Sequence, residues 1–188
     1  MRIVSGKFRG KAIAAPVGRE TRPTSDRARQ AVFNILEHAA FAPALSGARV
    51  IDLFAGSGAL GLEAVSRGAG FCLFVETDDT ARGAIRENMD AFGLFGISRI
   101  HRRDATDLGQ RPASAGQAFD LAFLDPPYGQ GLAERCLPSL VEGGWLAEDA
   151  LAVVERGAEE PPLVVPGFEV LDERVYGAAR VWFLKRLP

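Results

Sequence analysis

The stretch Asp52-Leu53-Phe54-Ala55-Gly56-Ser57-Gly58-Ala59-Leu60-Gly61 connects an apolar run, residues 48–54, to a helical pattern over residues 59–67. Its three glycines have the G-x-G-x-x-G spacing, which lets the backbone turn tightly between strand and helix and approach a ligand closely. Glu76 ends the next apolar run, 20 residues after Gly56, where its carboxylate can accept hydrogen bonds from ribose hydroxyls. The pattern therefore predicts a βαβ unit that binds a dinucleotide or another adenosine-containing ligand.

Two features favour S-adenosylmethionine over a dinucleotide. Asp52 stands at the end of the first strand, where its carboxylate can meet a positively charged amino-acid moiety. A nicotinamide enzyme usually needs a separate substrate domain, for which a chain of 188 residues has little room. The glycine turn alone fits both ligands, so a nicotinamide-dependent oxidoreductase stays open as an alternative.

Apolar runs and helical patterns alternate around this turn. The predicted strands are 48–54, 71–76, 100–103, 119–124, 151–155, 168–175 and 179–185, and the predicted helices are 26–40, 59–67, 79–92 and 130–141. This order predicts an α/β, Rossmann-like, mostly parallel seven-stranded sheet with a C-terminal antiparallel hairpin. Residues 1–24 are predicted to be a basic N-terminal arm with a short β-hairpin, and residues 25–188 a single domain.

Acidic side chains follow four of the predicted parallel strands: Asp52, Glu76, Asp104 and Asp125. In such sheets ligands bind beyond the carboxyl ends of the strands. We therefore expect these carboxylates to share one edge of the sheet and to form one site.

Asp125-Pro126-Pro127-Tyr128-Gly129 directly follows the fourth predicted strand. Two prolines fix the backbone and remove two N–H donors, so that the nearby carbonyls and the Asp125 carboxylate form a rigid cluster of acceptors. An exocyclic base amine suits this cluster, because hydrogen bonds from its N–H groups to Asp125 and to the Pro126 carbonyl can aim the nitrogen lone pair at a methyl group. Tyr128 offers a ring on which the base can stack. The alternative is an ordinary Pro-Pro turn.

Charge is distributed unevenly along the chain. Residues 1–30 carry a net charge of +6 and the remainder carries −8, although the whole chain has only −2. A basic segment on an acidic body favours a polyanionic partner, but a solvated, flexible terminus is an equal alternative.

Composition excludes several classes of protein. No apolar run is long enough to span a membrane, and the first residues lack the apolar stretch of a signal peptide. Two cysteines and two histidines without close spacing suggest neither a disulfide framework nor a metal site. We expect a monomer in a reducing cytoplasm.

The assembled motifs resemble the RsmD family of small-subunit ribosomal RNA guanine-N2 methyltransferases, and the resemblance covers nearly the whole chain. Glycine turns and Asp-Pro-Pro-Tyr turns occur in many methyltransferases, whereas Arg22-Pro23-Thr24-Ser25-Asp26-Arg27 ahead of them points to this family. Further matching positions are Arg9-Gly10, residues 31–36, Ser66-Arg67-Gly68-Ala69, Val75-Glu76 and Asn88.

This resemblance implies S-adenosylmethionine as cofactor and N2-methylguanosine in 16S rRNA, within a 30S subunit or assembly intermediate, as product. It gives catalysis to Asp125, Pro126 and Tyr128. It gives cofactor binding to Asp52, Phe54, Gly56, Gly58, Glu76, Thr77, Asp104, Ala105 and Thr24. The predicted RNA contacts are Arg9, Arg22, Arg27 and Tyr128. For Thr24 and Arg27, a capped helix start with solvated arginines is the alternative.

Other acceptors and activities stay open at this point. The Asp-Pro-Pro-Tyr chemistry also fits adenine N6 in DNA or RNA, or a protein side-chain amide. A methyltransferase-shaped RNA-binding module without activity is a further alternative.

Overall fold

The computed structural model describes residues 1–18 and 25–188. Its strands are β1 Arg49–Leu53, β2 Phe71–Val75, β3 Ser98–His101, β4 Phe119–Leu124, β5 Leu146–Gly157, β6 Phe168–Tyr176 and β7 Ala179–Arg186. Its α-helices are α1 Asp26–His38, α2 Ala59–Ser66, α3 Asp79–Phe92 and α4 Leu132–Glu142.

The strands form one sheet with the order β3-β2-β1-β4-β5-β7-β6. Strands β1 to β5 pair in parallel, and β7 lies antiparallel between β5 and β6. The chain order reverses direction between β1 and β4, and this is the point at which open α/β sheets bind ligands. The predicted seven-stranded sheet with a C-terminal antiparallel hairpin is confirmed.

Apolar side chains alternate between the two faces of the sheet and build a core on each. Helices α1, α2 and α3 cover one face, where Phe33, Leu62 and Ile85 are fully buried. Helix α4 covers the other face with Cys136, Leu137 and Leu140, and Trp145 is buried in that core. Because both faces are covered, the strands are apolar along most of their length, as expected for a parallel sheet.

The N-terminal segment packs against the first core. An antiparallel bridge joins Arg2 to Ala12, which is a shorter pairing than the predicted hairpin. Ile3, Phe8 and Ile13 are at most 6% exposed and belong to the core that α1 to α3 cover. Residues 1–13 are therefore bound to the domain through buried apolar surface, and the alternative of a solvated terminus is wrong for them.

Some predicted element boundaries were wrong. Helix α4 begins at Leu132 and not at residue 130, because Gly131 at its amino end has a left-handed φ of 63°. Strand β5 starts at Leu146, five residues earlier than predicted. The exposed Glu148 and Asp149 interrupt its apolar pattern, although the strand continues past them with a register shift opposite β4. A short 3-10 helix, Ala113–Ala115, lies between β3 and β4. Within the described part of the chain, every helix is too short or too polar to traverse a lipid bilayer.

Candidate functional site

The glycine turn begins with an unusual backbone conformation. Phe54 has a φ of 57°, a left-handed value that is costly for a residue with a side chain. Gly56 and Gly58 follow with φ of 59° and 80°. Gly58 N–H donates to the Ala55 carbonyl at 2.7 Å, which closes the turn before α2. A β-carbon on Gly56 would meet no atom within 4 Å, so open space lies beside this part of the backbone.

Gly61 allows α2 to lie directly on the sheet. A β-carbon there would lie 2.5 Å from the Phe74 ring and 2.6 Å from Cys72 Sγ, and both distances are much shorter than a van der Waals contact. The helix therefore approaches β1 and β2 closely, and the Gly61 N–H reaches the Asp52 carboxylate at 3.0 Å.

Asp52 is a buried carboxylate, only 1% exposed, at the end of β1. Its pKa is raised to about 8, chiefly by burial; the hydrogen bond from Gly61 lowers the pKa and the charge of Glu76 raises it. Among the described residues no cation pairs with Asp52, and a bound cation would stabilise its ionised form. The surroundings of Asp52 thus fit a positively charged ligand.

Glu76, at the end of β2, holds the glycine turn. One carboxylate oxygen accepts from Gly56 N–H at 2.8 Å and the other accepts from Asp78 N–H at 2.9 Å. Each carboxylate oxygen has a second lone pair, so Glu76 retains the capacity to bind ribose hydroxyls. Thr77 is exposed beside it, and its carbonyl accepts from the Arg82 guanidinium.

The Asp-Pro-Pro-Tyr turn leaves the sheet beside the glycine turn. Leu124, the last residue of β4, pairs with Leu53 on one side and with Val154 on the other. Asp125 therefore lies between the ends of β1 and β5. Burial raises the pKa of Asp125 well above its usual range, and the charges of Glu155 and Asp52 add to this effect. Of the four carboxylates predicted to share this edge of the sheet, Asp52 interacts with both Glu76 and Asp125, whereas the place of Asp104 in the site stays a prediction.

Tyr128 is held by residues at the end of β5. Its hydroxyl donates to Glu155 Oε1 at 2.6 Å, and its ring edge lies against Gly157, where a β-carbon would come within 3.2 Å of it. Glu160 Oε1 accepts from the Gly129 and Gly157 N–H groups at 3.0 and 2.9 Å, which ties the turn to β5. The sequence motifs did not indicate Glu155 or Glu160 as site residues. Glu155 ends the fifth predicted strand, residues 151–155, and this position was the available signal.

A cavity of about 660 Å³ opens beside Tyr128. The amino end of α1 forms one wall, and the hairpin turn between β6 and β7 forms the opposite wall. The described residues that line it are Ser25, Arg27, Ala28, Ala31, Tyr128, Glu155, Tyr176, Gly177, Ala178, Ala179 and Val181. This volume is in the range of small-molecule sites, so a single nucleotide fits.

Comparison with known proteins identifies the family. Residues 1–185 match the protein family described as Conserved hypothetical protein 95. The chain belongs to this family. Ribosomal RNA small subunit methyltransferase D of Escherichia coli strain K12 is 34% identical over 94% of this chain and 85% of its own length. The same-named enzyme of Haemophilus influenzae is 32% identical over 94% of this chain and 89% of its own length.

Solved structures agree with this family assignment. The Escherichia coli protein YhhF is 33% identical and superposes with a TM-score of 0.81, covering 100% of this chain and 98% of that one. The structure of SMU.776 in complex with S-adenosylhomocysteine has a TM-score of 0.62 and 16% identity, covers 84% of this chain and 49% of that one, and shows a likeness of fold alone. The predicted fold, family and enzyme class are confirmed: the chain is a methyltransferase.

Asp104 and Ala105 follow β3 and make local contacts. Asp104 is exposed, and one of its carboxylate oxygens accepts from the Thr106 N–H and hydroxyl at 2.8 and 2.7 Å. These hydrogen bonds lower the pKa of Asp104, so it stays ionised. Ala105 is buried against α4, where its carbonyl accepts from Cys136 Sγ. Their part in adenine binding stays a prediction.

The predicted RNA contacts are only partly described. Arg9 and Arg27 are exposed, and Arg27 stands at the rim of the cavity. Thr24 and Arg22 lie outside the described residues. Arg29, which the charge count included, is fully buried and pairs with Glu63 at 3.3 Å, so it is not available to RNA.

Asn88 on α3 links the N-terminal segment to the glycine turn. Its Oδ1 accepts from Ala14 N–H at 2.7 Å, while its Nδ2 donates to the carbonyls of Ala14 and Ser57, each at 3.1 Å. The Asn88 side chain is 2% exposed, so water could not satisfy the backbone groups of Ala14 and Ser57 if the amide were lost. Asn88 thereby fixes both the turn and the start of the segment that leads to α1.

Asn88→Ala is expected to raise the KM for the cofactor about 5- to 10-fold, with a smaller change in kcat, and to lower the free energy of unfolding by about 2 kcal/mol. The reason is that Ser57 and Ala14 lose buried hydrogen bonds. Steady-state kinetics and urea unfolding measure these effects. Asn34→Ala is the matched control, because Asn34 makes its amide hydrogen bond with Gln30 on the exposed face of α1. A folded Asn88→Ala protein with an unchanged cofactor KM would contradict this expectation.

Proposed function

We propose that this protein transfers a methyl group from S-adenosylmethionine to the exocyclic N2 amine of a guanine in 16S rRNA of the small ribosomal subunit. The observation that supports this most strongly is the placement of Asp125, on its proline turn, between the glycine turn and the cavity. A methyl donor over the glycines and a base in the cavity would meet at this carboxylate.

The residues of the glycine turn suit the cofactor. S-adenosylmethionine supplies an activated methyl group on a positively charged sulfur, and its amino-acid part carries a further ammonium group. Asp52, in a buried pocket of negative charge, would bind the cationic amino-acid part, and Glu76 would bind the ribose hydroxyls. Phe54, Gly56, Gly58 and Thr77 complete the proposed contacts at the same edge of the sheet.

The proline turn prepares the amine for reaction. The Asp125 carboxylate and the Pro126 carbonyl accept one N–H each, which holds the nitrogen with its lone pair toward the methyl carbon. Methyl transfer would form an N–C bond as the S–C bond of the cofactor breaks, and Asp125 would stabilise the positive charge that the nitrogen gains. One amine proton is then lost to the Asp125 carboxylate and from there to water, which leaves neutral N2-methylguanine.

The substrate is proposed from the relatives. Enzymes named ribosomal RNA small subunit methyltransferase D are similar to this chain over nearly all its length. We infer that the RNA is modified as a 30S subunit or an assembly intermediate, that the protein acts as a monomer in the cytoplasm, and that Arg9, Arg22 and Arg27 contact phosphates.

The test is methyl transfer from radiolabelled cofactor to separate pools of 30S subunits, free 16S rRNA, DNA and protein. The subunits and rRNA come from cells that lack this protein. We expect label in the 30S or 16S pool, and digestion to nucleosides followed by mass spectrometry should yield N2-methylguanosine. Label only in DNA or protein, or a methylated adenine, would refute the proposal. RNA binding without transfer would indicate an inactive binding module.

Replacing Arg9, Arg22 and Arg27 together with glutamine is expected to weaken RNA binding and to reduce its dependence on salt. Each lost phosphate contact lowers the slope of log K against log salt by about 0.7–0.9, so three contacts lower it by about 2–3. Filter binding from low to moderate salt measures the slope. Arg174→Gln on β6 is the control, because Arg174 already pairs with Asp172. An unchanged slope in the triple variant would remove these arginines from the RNA interface.

A further inference from the structure

The cavity beside Tyr128 has a carboxylate that the proposed reaction does not use. Glu155 lines this cavity and accepts the Tyr128 hydroxyl through Oε1. It follows Val154, which pairs with Leu124, so Glu155 in β5 lies beside Asp125, the first residue after β4. Glu155 therefore lines the cavity, and Asp125 lies next to it, close enough for the two charges to interact.

The walls of the cavity suit a flat base. Tyr128 and the half-buried Tyr176 both line it, and Tyr176 lies at the hairpin turn where β6 pairs with Ala179 of β7. Enzymes that act on an extruded base commonly stack it between aromatic or apolar side chains and read its Watson–Crick edge by hydrogen bonds. Arg27 and the amino end of α1 add positive charge at the opposite wall, near which a phosphate of the same nucleotide could lie.

Guanine and adenine differ at the edge that would face these carboxylates. Guanine presents the N1–H donor next to its N2 amine, whereas adenine presents a bare N1 acceptor. If Asp125 and the Pro126 carbonyl hold the N2 amine, the N1–H group is the next donor along the edge. An acceptor beside Asp125 then attracts guanine and repels adenine.

We propose that Glu155 determines base specificity: its carboxylate accepts the N1–H of the target guanine, while Tyr128 and Tyr176 contact the two sides of the base. This rests on the proposed function and names the residue that selects its substrate. The hydrogen bond from Tyr128 uses one lone pair of Oε1 and orients the carboxylate. Glu155 touches the substrate and is distinct from Asp125, which holds the reacting nitrogen.

The experiment measures inhibition of methyl transfer to 16S rRNA by guanosine monophosphate and by 1-methylguanosine monophosphate, which lacks the N1–H. For the unsubstituted protein, we expect guanosine monophosphate to inhibit about 10- to 100-fold more strongly, the worth of one hydrogen bond to a charged group. In Glu155→Gln this preference should fall to less than about threefold, because the charge that strengthens the bond is gone.

Two further variants distinguish recognition of the base by Glu155 from a purely structural role of this residue. Tyr128→Phe removes the hydroxyl that orients Glu155 and should keep most of the preference, whereas a role for Glu155 only in holding Tyr128 predicts that both variants behave alike. Glu148→Gln makes the same chemical change at an exposed site on the same strand and should match the unsubstituted protein.

Several results would overturn this inference. These are an undiminished preference in Glu155→Gln, equal inhibition of the unsubstituted protein by both nucleotides, and no inhibition by guanosine monophosphate at millimolar concentration. Each of these results counts against the role of Glu155 when the unsubstituted protein still transfers label to 16S rRNA. If it transfers no label to that RNA, the proposed function itself fails.

Discussion

Asp125→Ala is expected to reduce the rate of methyl transfer about 100- to 1,000-fold or more, while the affinity for S-adenosylmethionine changes less than about threefold. The variant removes the acceptor that holds the amine and stabilises the charge developing on nitrogen. Cofactor binding should persist because Asp52, Glu76 and the glycine turn are untouched. Removing the Asp125 charge also takes a repelling anion away from Asp52, with which it interacts.

Single-turnover kinetics with saturating RNA measures the rate, and calorimetric titration measures the affinity. Asp125→Asn keeps one acceptor oxygen and should retain more activity than the alanine variant. Asp120→Asn is the matched control. Asp120 lies on β4, the strand that Asp125 follows, but near its amino end, where it accepts from the Arg49 N–H. An undiminished rate in Asp125→Ala would show that the proline turn does not hold the reacting group.

Asp52→Asn is expected to weaken S-adenosylmethionine binding about 10- to 100-fold and, at the same time, to stabilise the free protein at neutral pH. In the folded protein burial raises the pKa of Asp52 to about 8, whereas an unfolded chain has an aspartate pKa of about 3.9. Between about pH 4 and 8 the folded state therefore holds more protons at this residue than the unfolded state. Its contribution to stability consequently falls as the pH rises through this window.

The cofactor reverses that balance. A cation beside Asp52 favours the ionised carboxylate, so binding should release protons, and affinity should increase with pH up to about 8. Asparagine can still accept the hydrogen bond from Gly61, which keeps α2 in place. It has no charge to attract the cofactor and no proton to release.

Thermal unfolding from pH 5 to 8 and calorimetry in buffers of different ionisation enthalpy measure these effects. The unsubstituted protein should release protons on binding the cofactor, and Asp52→Asn should release fewer. Asp120→Asn serves again as the control, because it removes a carboxylate far from the glycine turn. Equal proton release in Asp52→Asn, or equal affinity, would mean that Asp52 does not meet the cationic part of the cofactor.

Local sequence patterns determined the features that depend mainly on residues close together in the chain. Alternating apolar runs and helical patterns predicted the α/β sheet, and the glycine spacing predicted the tight turn, in which the structure gives Gly56 and Gly58 positive φ angles. A carboxylate placed just after a buried parallel strand must lie at the carboxyl edge of the sheet. For this reason the convergence of Asp52, Glu76 and Asp125 could be predicted from strand order alone.

The tertiary structure decided the features that depend on partners distant in the chain. Arg29 contributes to the positive charge of residues 1–30, but Glu63, 34 residues away, pairs with it in the interior. The first residues looked like a charged arm, yet Ile3 and Phe8 bury themselves against α-helices that no local pattern relates to them. Glu155 became a candidate only when β5 was placed beside β4, because a sequence records which residues are acidic but only the paired strands bring this one next to Asp125.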